Sequence, residues 1–405
     1  MRIAEFEHLH ADAGGRAFDY LKITADDGLV GWSEYNESFG GLGVSATIDN
    51  LMPVLIGKDP RAFEAHVALL QALRRPSAGG IVQQAIGAIE NALLDLKARA
   101  LGVPVYELFG GPLRDRQRVY WSHCGTYRAG VRARAMQIPE IRSLDDVVSL
   151  GREVVERGYS ALKTSVVLFG EGDARGHTPG FARGESFPEL NPERYVLKAI
   201  REQLAAFREG AGPDVDILVD LNFNYKTEGF LKLARAMEPF DLFWVEIDMR
   251  NAEALRYIRS RTSIPVATGE SLFGRREYRP FFEAGSMDSL IIDVPWNGLA
   301  ESLKVAAMAD AYEVNVAPHN FYSPLATMMS MHLCAVAPNV RIMETDVDQA
   351  PWVDDLVTVK PTFRDGYLSL PTGVGWGTEV DEEAVRAHPP KVVSAAPLQP
   401  AAAVR

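Results

Sequence analysis

Two hydrophobic periods share this chain, and they divide it. Near the start the period is two. Tyr20, Leu21, Lys22, Ile23 and Thr24 alternate, Asp26, Asp27 and Gly28 make a turn, and alternation resumes from Leu29 to Glu34. This predicts an antiparallel β-meander over residues 1 to about 36. Glycines then crowd 39–43, which reads as a mobile loop. From Ala46 to about Ala100 the spacing is helical: Ile81, Ala85, Ile86, Ile89, Leu93, Leu94 and Leu96 recur on one face. Gly102 and Pro104 end that stretch. The outcome is an α+β domain over 1–112, closed by the hinge-like Gly110, Gly111 and Pro112.

Beyond it, short β-favouring runs alternate with helical patterns such as 192–207 and 300–311. The runs are 119–123, 161–165, 217–220, 242–246, 266–268, 290–293, 315–317 and 340–343. Eight strands with helices between them predict a parallel (β/α)8-type barrel, a modified TIM barrel, over 113–350. One connection is long. Residues 166–190 hold Gly170, Gly172, Gly176, Gly180 and Gly184 and no clear period. A loop of that kind following the second strand is expected to lie over the active-site face. After about 350 the alternation stops, with a turn and short strand at 365–370. The last stretch, 389–405, is mostly Ala, Pro and Val, and is expected to be a flexible tail.

Composition narrows the class. The chain has 405 residues, 47% hydrophobic and 24% charged, which suits a globular protein of two domains. A formal net charge of −12 disfavours nucleic acid and anionic membranes as partners. No apolar run approaches a membrane span, and the first residues carry acid without an apolar signal core. The two cysteines, Cys124 and Cys334, are far apart and read as incidental thiols of a reducing compartment. A cytoplasmic location is therefore expected.

The chemistry lies where the runs end. Asp220, Glu246 and Glu270 each close a β-favouring run, 26 and then 24 residues apart. That is about one strand–helix unit, so all three should converge on the C-terminal mouth of the barrel. Three carboxylates there repel one another unless a cation sits between them, and an all-oxygen set suits a hard divalent ion, Mg2+ first. Asp293 and His319 keep the register, again 26 residues apart. An Asp one unit before a His can orient the imidazole as a general base. Glu344 follows 25 residues later, and reads as an acid, a substrate hydrogen-bond partner or a salt bridge to Arg341. Lys163 in the second run either balances a substrate carboxylate or is a solvated surface lysine. Asn222, two residues past Asp220, is placed to point at the same centre. Ser122 and His123 close the first run within reach of a substrate.

These residues resemble the enolase superfamily, specifically the mandelate racemase-like subgroup, over nearly the whole chain. The resemblance implies a capping domain over 1–112, the barrel, and a segment over 351–388 that returns to the cap. It implies that Asp220, Glu246 and Glu270 are the ligands of one Mg2+ per site, with Asn222 completing an Asp-x-Asn pattern. Asp293 and His319 match the family's His–Asp dyad, Glu344 the Glu that bonds the enolate oxygen, and Lys163 the first lysine of a Lys-x-Lys motif. The second lysine is missing: the chain reads Lys163, Thr164, Ser165. A hydroxyl with no activating partner is a poor base, so Ser165 is expected to touch substrate rather than move a proton.

The expectation is then an acid-sugar dehydratase. It abstracts the proton α to a carboxylate and eliminates water from a small polyhydroxy acid, with His319 as base and Asp293, Glu344 and Lys163 around it. The alternatives are an epimerase or lactone cycloisomerase using the same enolate, or a non-catalytic acid-sugar-binding relative. A homo-oligomer, from dimer to octamer, is what the subgroup implies. His319 is expected to rest neutral, and loops near 14–20, 36–43 and 166–190 to shape specificity.

Overall fold

The computed structural model describes residues 1–38, 41–170, 172–181 and 191–390. Parts of the 36–43 and 166–190 loops, and the tail from 391 on, lie outside the described residues.

The meander forms as its pattern predicts. Ile3–Asp12, Ala17–Ala25 and Val30–Tyr35 pair antiparallel in that order. The stretch expected to be a loop over 14–20 is already strand from Ala17, which leaves a tight turn around Gly14, Gly15 and Arg16. The helical stretch from 46 to 100 breaks into three helices, Val44–Leu51, Phe63–Leu73 and Gly80–Leu101. Pro53 and Pro60 interrupt it, then Pro76, each removing an N–H donor. Gly102 ends the long helix in the left-handed conformation.

The barrel has eight parallel strands: Arg116–Ser122, Ala161–Thr164, Asp216–Asp220, Trp244–Glu246, Val266–Thr268, Ser289–Asp293, Asn315–His319 and Met343–Asp346. Neighbours in sequence are neighbours in the sheet. The eighth strand pairs with the first, Met343 opposite Val119, and Val316 bridges to Val340, which closes the circle. The last strand starts at 343 rather than 340, so Glu344 lies inside it and Asp346 ends it. Each strand or its edge sends one side chain to a common layer: Tyr120, Ala161, Leu218, Trp244, Ala267, Ile291, Ala317 and Ile342. Strand side chains alternate, so two residues further on the same inward face recurs one step nearer the mouth.

Within the long connection after the second strand, Val167–Leu168 pairs with Arg175–Gly176 as a short hairpin, so the described part is not featureless. No helix among the described residues is long and apolar enough to cross a membrane. After the eighth strand the chain forms a hairpin, Phe363–Arg364 with Tyr367–Ser369, which pairs with the first barrel strand. It then runs back to the cap, where Trp376 donates from Nε1 to the Trp32 carbonyl at 2.7 Å and Asp12 N–H donates to the His388 carbonyl at 2.8 Å.

Cap and barrel are joined by buried acids set on helix starts. The first N–H groups of a helix have no partner inside it and carry partial positive charge. Glu34 accepts from Ser323 N–H at 3.0 Å and Ala326 N–H at 3.1 Å, at the start of helix Pro324–Val336. Glu90 accepts from Ala300 N–H at 2.8 Å, at the start of helix Leu299–Ala311, and Asn91 accepts from Leu299 N–H at 2.8 Å. Gly298, at φ 86°, makes this approach possible, since a Cβ there would lie 2.2 Å from Glu90 Oε1.

Burial lifts both acids to about 8, against the hydrogen bonds that pull the other way. A carboxyl whose folded pKa lies above its ordinary value of 4.5 gives full stability below that pH and loses it as pH rises through about 8. Glu90→Gln keeps the accepting oxygen and removes the titration. Urea denaturation at pH 5 and pH 8 should show the variant less pH-sensitive than wild type, by up to about 1.4 kcal/mol per pH unit. An unchanged slope would show that Glu90 ionises freely in the folded protein.

Candidate active site

The site follows from the inner layer of the barrel by the strand period. Two residues beyond Ala161, Leu218, Trp244, Ile291, Ala317 and Ile342 stand Lys163, Asp220, Glu246, Asp293, His319 and Glu344, all buried. Glu270 breaks the rule, because two beyond Ala267 is Gly269. Gly269 sits at φ 124°, where a Cβ would meet Leu290 and the Ile291 carbonyl within 2.8 Å. This glycine turn swings the next side chain, Glu270, into the mouth.

Lys163 is not a solvated lysine. Its Nζ lies 3.0 Å from Glu246 Oε2, 2.9 Å from Glu344 Oε1 and 3.6 Å from Asp220 Oδ2. Burial alone would lower its pKa, but these carboxylates outweigh it and hold the ammonium well charged. Glu344 is the reciprocal case. Burial opposes its ionisation, yet Lys163 and His319 hold it well below the usual carboxylate range. Its Oε2 accepts from Asn320 N–H at 2.9 Å.

His319 faces two ways. Nδ1 meets Asp293 Oδ2 at 2.6 Å, while Nε2 lies 3.2 Å from Glu270 Oε2 and 3.8 Å from Glu344 Oε2. Asp293 is fixed in turn by Trp296 N–H at 2.7 Å and the Tyr322 hydroxyl at 2.5 Å. Burial lowers the His319 pKa, but Glu270, Glu344 and Asp293 override it and raise it to about 10. The expected neutral resting imidazole is therefore not what the protein side chains alone give. A cation that takes up the Glu270 charge would remove the first of those attractions.

Two residues expected at the substrate are hydrogen-bonded to acids of the site. Ser122 is fully buried and donates to Glu344 while contacting His123 Nδ1 at 2.8 Å. Asn222, at φ 46°, donates to Asp220 Oδ1 from both its backbone N–H, 2.7 Å, and Nδ2, 2.8 Å. It orients the acid, although it also borders the cavity. Ser165 lines that cavity too. Its backbone is tied to Thr126 and Gln203, and nothing among the described residues activates its hydroxyl.

Sequence reasoning missed Asp248. It follows Glu246 by two, so alternation places it on the same face, and it is buried beside Asp220, Glu246 and Glu270. Arg16 was also missed. It reaches from the cap turn to Asp346 Oδ2 at 2.6 Å, packed against Phe18, Tyr127 and Phe321. Asp346 meets His123 with its other oxygen at 3.2 Å. The His123 ring stacks on Tyr127 at 4.1 Å, and the Arg132 guanidinium lies 3.9 Å over that same ring. Both groups border the cavity that leads down to Lys163, Asp220, Glu270 and His319.

The donor set fits a hard cation. Asp220, Glu246 and Asp248 each offer an oxygen within 4.8 Å of the others. Glu246 Oε1 and both oxygens of Asp248 are buried without a hydrogen-bond donor. Burial raises Glu246 to about 8, opposed by Lys163, and raises Asp248 to about 7 and Glu270 well above its ordinary value. Oxygen-only ligands of this charge suit Mg2+ or Mn2+.

Cap, closed barrel and acidic mouth define the class, a capped (β/α)-barrel enzyme. The model of the mandelate racemase / muconate lactonizing enzyme N-terminal domain matches residues 13–110, and that of the enolase C-terminal domain-like family matches 146–384. The chain belongs to the enolase superfamily, in its mandelate racemase-like branch. It is 31% identical over 379 residues to a D-galactonate dehydratase family member of Streptomyces bingchenggensis, covering 91% of this chain and 89% of that one. It is 30% identical over 377 residues to a D-xylonate dehydratase of Haloferax volcanii, covering 91% and 84%. Among solved structures, a candidate L-alanine-DL-glutamate epimerase of Burkholderia xenovorans superposes with a TM-score of 0.93 at 47% identity, covering 97% and 99%.

Glu246 and Asp248, raised to about 8 and about 7, hold protons near pH 7 that a cation must displace. Mg2+ binding to metal-free protein at pH 7 should therefore release protons, seen as a buffer-dependent heat in PIPES against Tris. The release should shrink as pH rises through about 8. A buffer-independent heat at pH 7 would mean that the carboxylates are already ionised.

Proposed function

We propose that this enzyme is a Mg2+-dependent acid-sugar dehydratase: it removes the proton α to a carboxylate and eliminates water from a polyhydroxy acid. The observation that carries this reading is the one-sided proton chemistry of the site. The seventh strand offers the His319–Asp293 pair, while the second offers Ser165 and a Lys163 already engaged by three carboxylates. The names of the galactonate and xylonate dehydratases it is similar to support the same reading.

Asp220, Glu246 and Glu270 are the proposed Mg2+ ligands. When bound, the ion supplies Lewis-acid stabilisation of the charge that grows on the substrate carboxylate. The Burkholderia structure described as bound to magnesium and fumarate supports an ion beside a carboxylate here. The chain's own residues do the rest. Asp293 takes the Nδ1–H of His319, which leaves Nε2 to accept the α-proton. The Cβ–O bond then breaks, and the departing hydroxyl takes that proton from Nε2–H and leaves as water. The enol that remains tautomerises to a 2-oxo acid. Lys163 holds Glu344 and Glu246 in place, and Trp296, Phe321 and Tyr322 around the imidazole keep water from it.

The second reading is an epimerase, favoured by the Burkholderia neighbour's description as a candidate L-alanine-DL-glutamate epimerase. It needs a proton-transfer group on each face of the substrate. His319→Asn should lose elimination and α-proton exchange together, by about 1,000-fold or more, with Mg2+ binding retained. In heavy water only one α-epimer of a turned-over acid sugar should exchange. Equal exchange of both epimers, surviving in Ser165→Ala, would favour the epimerase.

A further inference from the structure

We propose that the metal centre has a fourth protein carboxylate, Asp248, which binds the cation directly alongside the strand-end acids. This rests on the reading of the mouth as a metal site. Asp248 is 5% exposed, yet both of its carboxylate oxygens lack a hydrogen-bond donor. Burial and the neighbouring Glu246 and Asp220 oppose its charge by more than the Glu270 carboxyl and His319 favour it. Its oxygen lies with those of Asp220 and Glu246 in one group no wider than 4.8 Å. Glu246 contributes a second orphan, Oε1, at 0% exposure.

A structural role explains none of this. A buried carboxylate without donors costs several kcal/mol, and an apolar side chain would fill the same space without that cost. Lys163, the cation at the centre, reaches Asp220, Glu246 and Glu344 rather than Asp248. The backbone holds Asp248 in position independently of its side chain, since its N–H donates to the Asn222 carbonyl at 3.0 Å. Asn222 also fixes Asp220. The two acids are thus set from one turn, as ligands of one ion need to be. A fourth carboxylate tightens the hold on a divalent cation and occupies a coordination position that water would otherwise take.

A ligand and a structural residue predict opposite signs for Asp248→Asn. The amide removes a negative charge from a crowded, buried cluster, so the metal-free variant should melt at a higher temperature than metal-free wild type. Its Mn2+ affinity, by electron paramagnetic resonance titration, and its Mg2+ affinity, by calorimetry, should fall about tenfold or more. The extra melting temperature that saturating Mg2+ gives wild type should shrink accordingly. Asp248→Ser, which keeps no carboxylate, should behave alike. Affinity within twofold of wild type in both variants would overturn the proposal. So would a metal-free variant that melts lower or fails to fold, since that is the mark of a structural aspartate. If wild type binds neither ion, the metal reading itself falls and this inference with it. If wild type binds and Asp248→Asn binds equally well, only the fourth ligand is lost.

Discussion

Mutual repulsion among buried carboxylates is the constraint on which this molecule turns. Asp220, Glu246, Asp248, Glu270 and Glu344 crowd one barrel mouth, with Lys163 and His319 among them. Two like unit charges 4 Å apart repel each other by about 4 kcal/mol even at an effective dielectric of 20. Such a cluster persists only on a frame that cannot relax away from it. The frame is a closed ring of eight strands, filled below the mouth by Tyr120, Trp244 and the small and branched side chains between them. Three of the site's acids are aimed by neighbours: Asn222 on Asp220, Ser122 and Asn320 on Glu344, Tyr322 and Trp296 on Asp293.

The strand period explains what could be read in the sequence and what could not. Asp220, Glu246, Asp293 and His319 end β-favouring runs, and the inward alternation that buries Leu218, Trp244, Ile291 and Ala317 carries each of them to the mouth. Their convergence was legible because it needs only period and spacing. Glu270 was reached by spacing, but its route through a glycine at positive φ was hidden. Asp248 obeyed the alternation and was passed over, because the run appeared to stop at Glu246. The eighth strand was placed three residues early, since Glu344, Thr345 and Asp346 make a polar strand end that looks like loop. Lys163 was ambiguous for a different reason: no pattern tells a lysine facing acids from one facing water. Contacts across the sheet, such as Arg16 with Asp346, join residues 330 apart and leave no local trace.

The cap is coupled to the same centre. Glu34 and Glu90 seat it on two barrel helices, and Arg16 extends from it to Asp346, which in turn holds His123. Arg16 is thus linked to Glu344 through Asp346, His123 and Ser122. This makes the cap part of the electrostatics of the mouth as well as its cover. The Arg16 guanidinium is committed to Asp346 and boxed by three rings, so it serves the frame. Arg132, half-buried, lies over the Tyr127 ring and borders the cavity.

The asymmetry of the mouth then bears on the chemistry that the cluster allows. Proton transfer needs a group whose two forms are both accessible. Lys163 fails this, since three acids fix its charge; Ser165 fails it, since nothing among the described residues polarises its hydroxyl. Glu344 is locked in its ionised form by Lys163 and His319. His319 differs because its charge depends on Glu270, the acid nearest Nε2 and also one of the acids nearest Asp248. Asp220, Glu246 and Glu270 would hold a cation if one bound, and the hold of Glu270 on the imidazolium proton would then be weaker. On the proposed function, the carboxylates that would hold the ion would also set His319 to act as the base, on one face of the substrate.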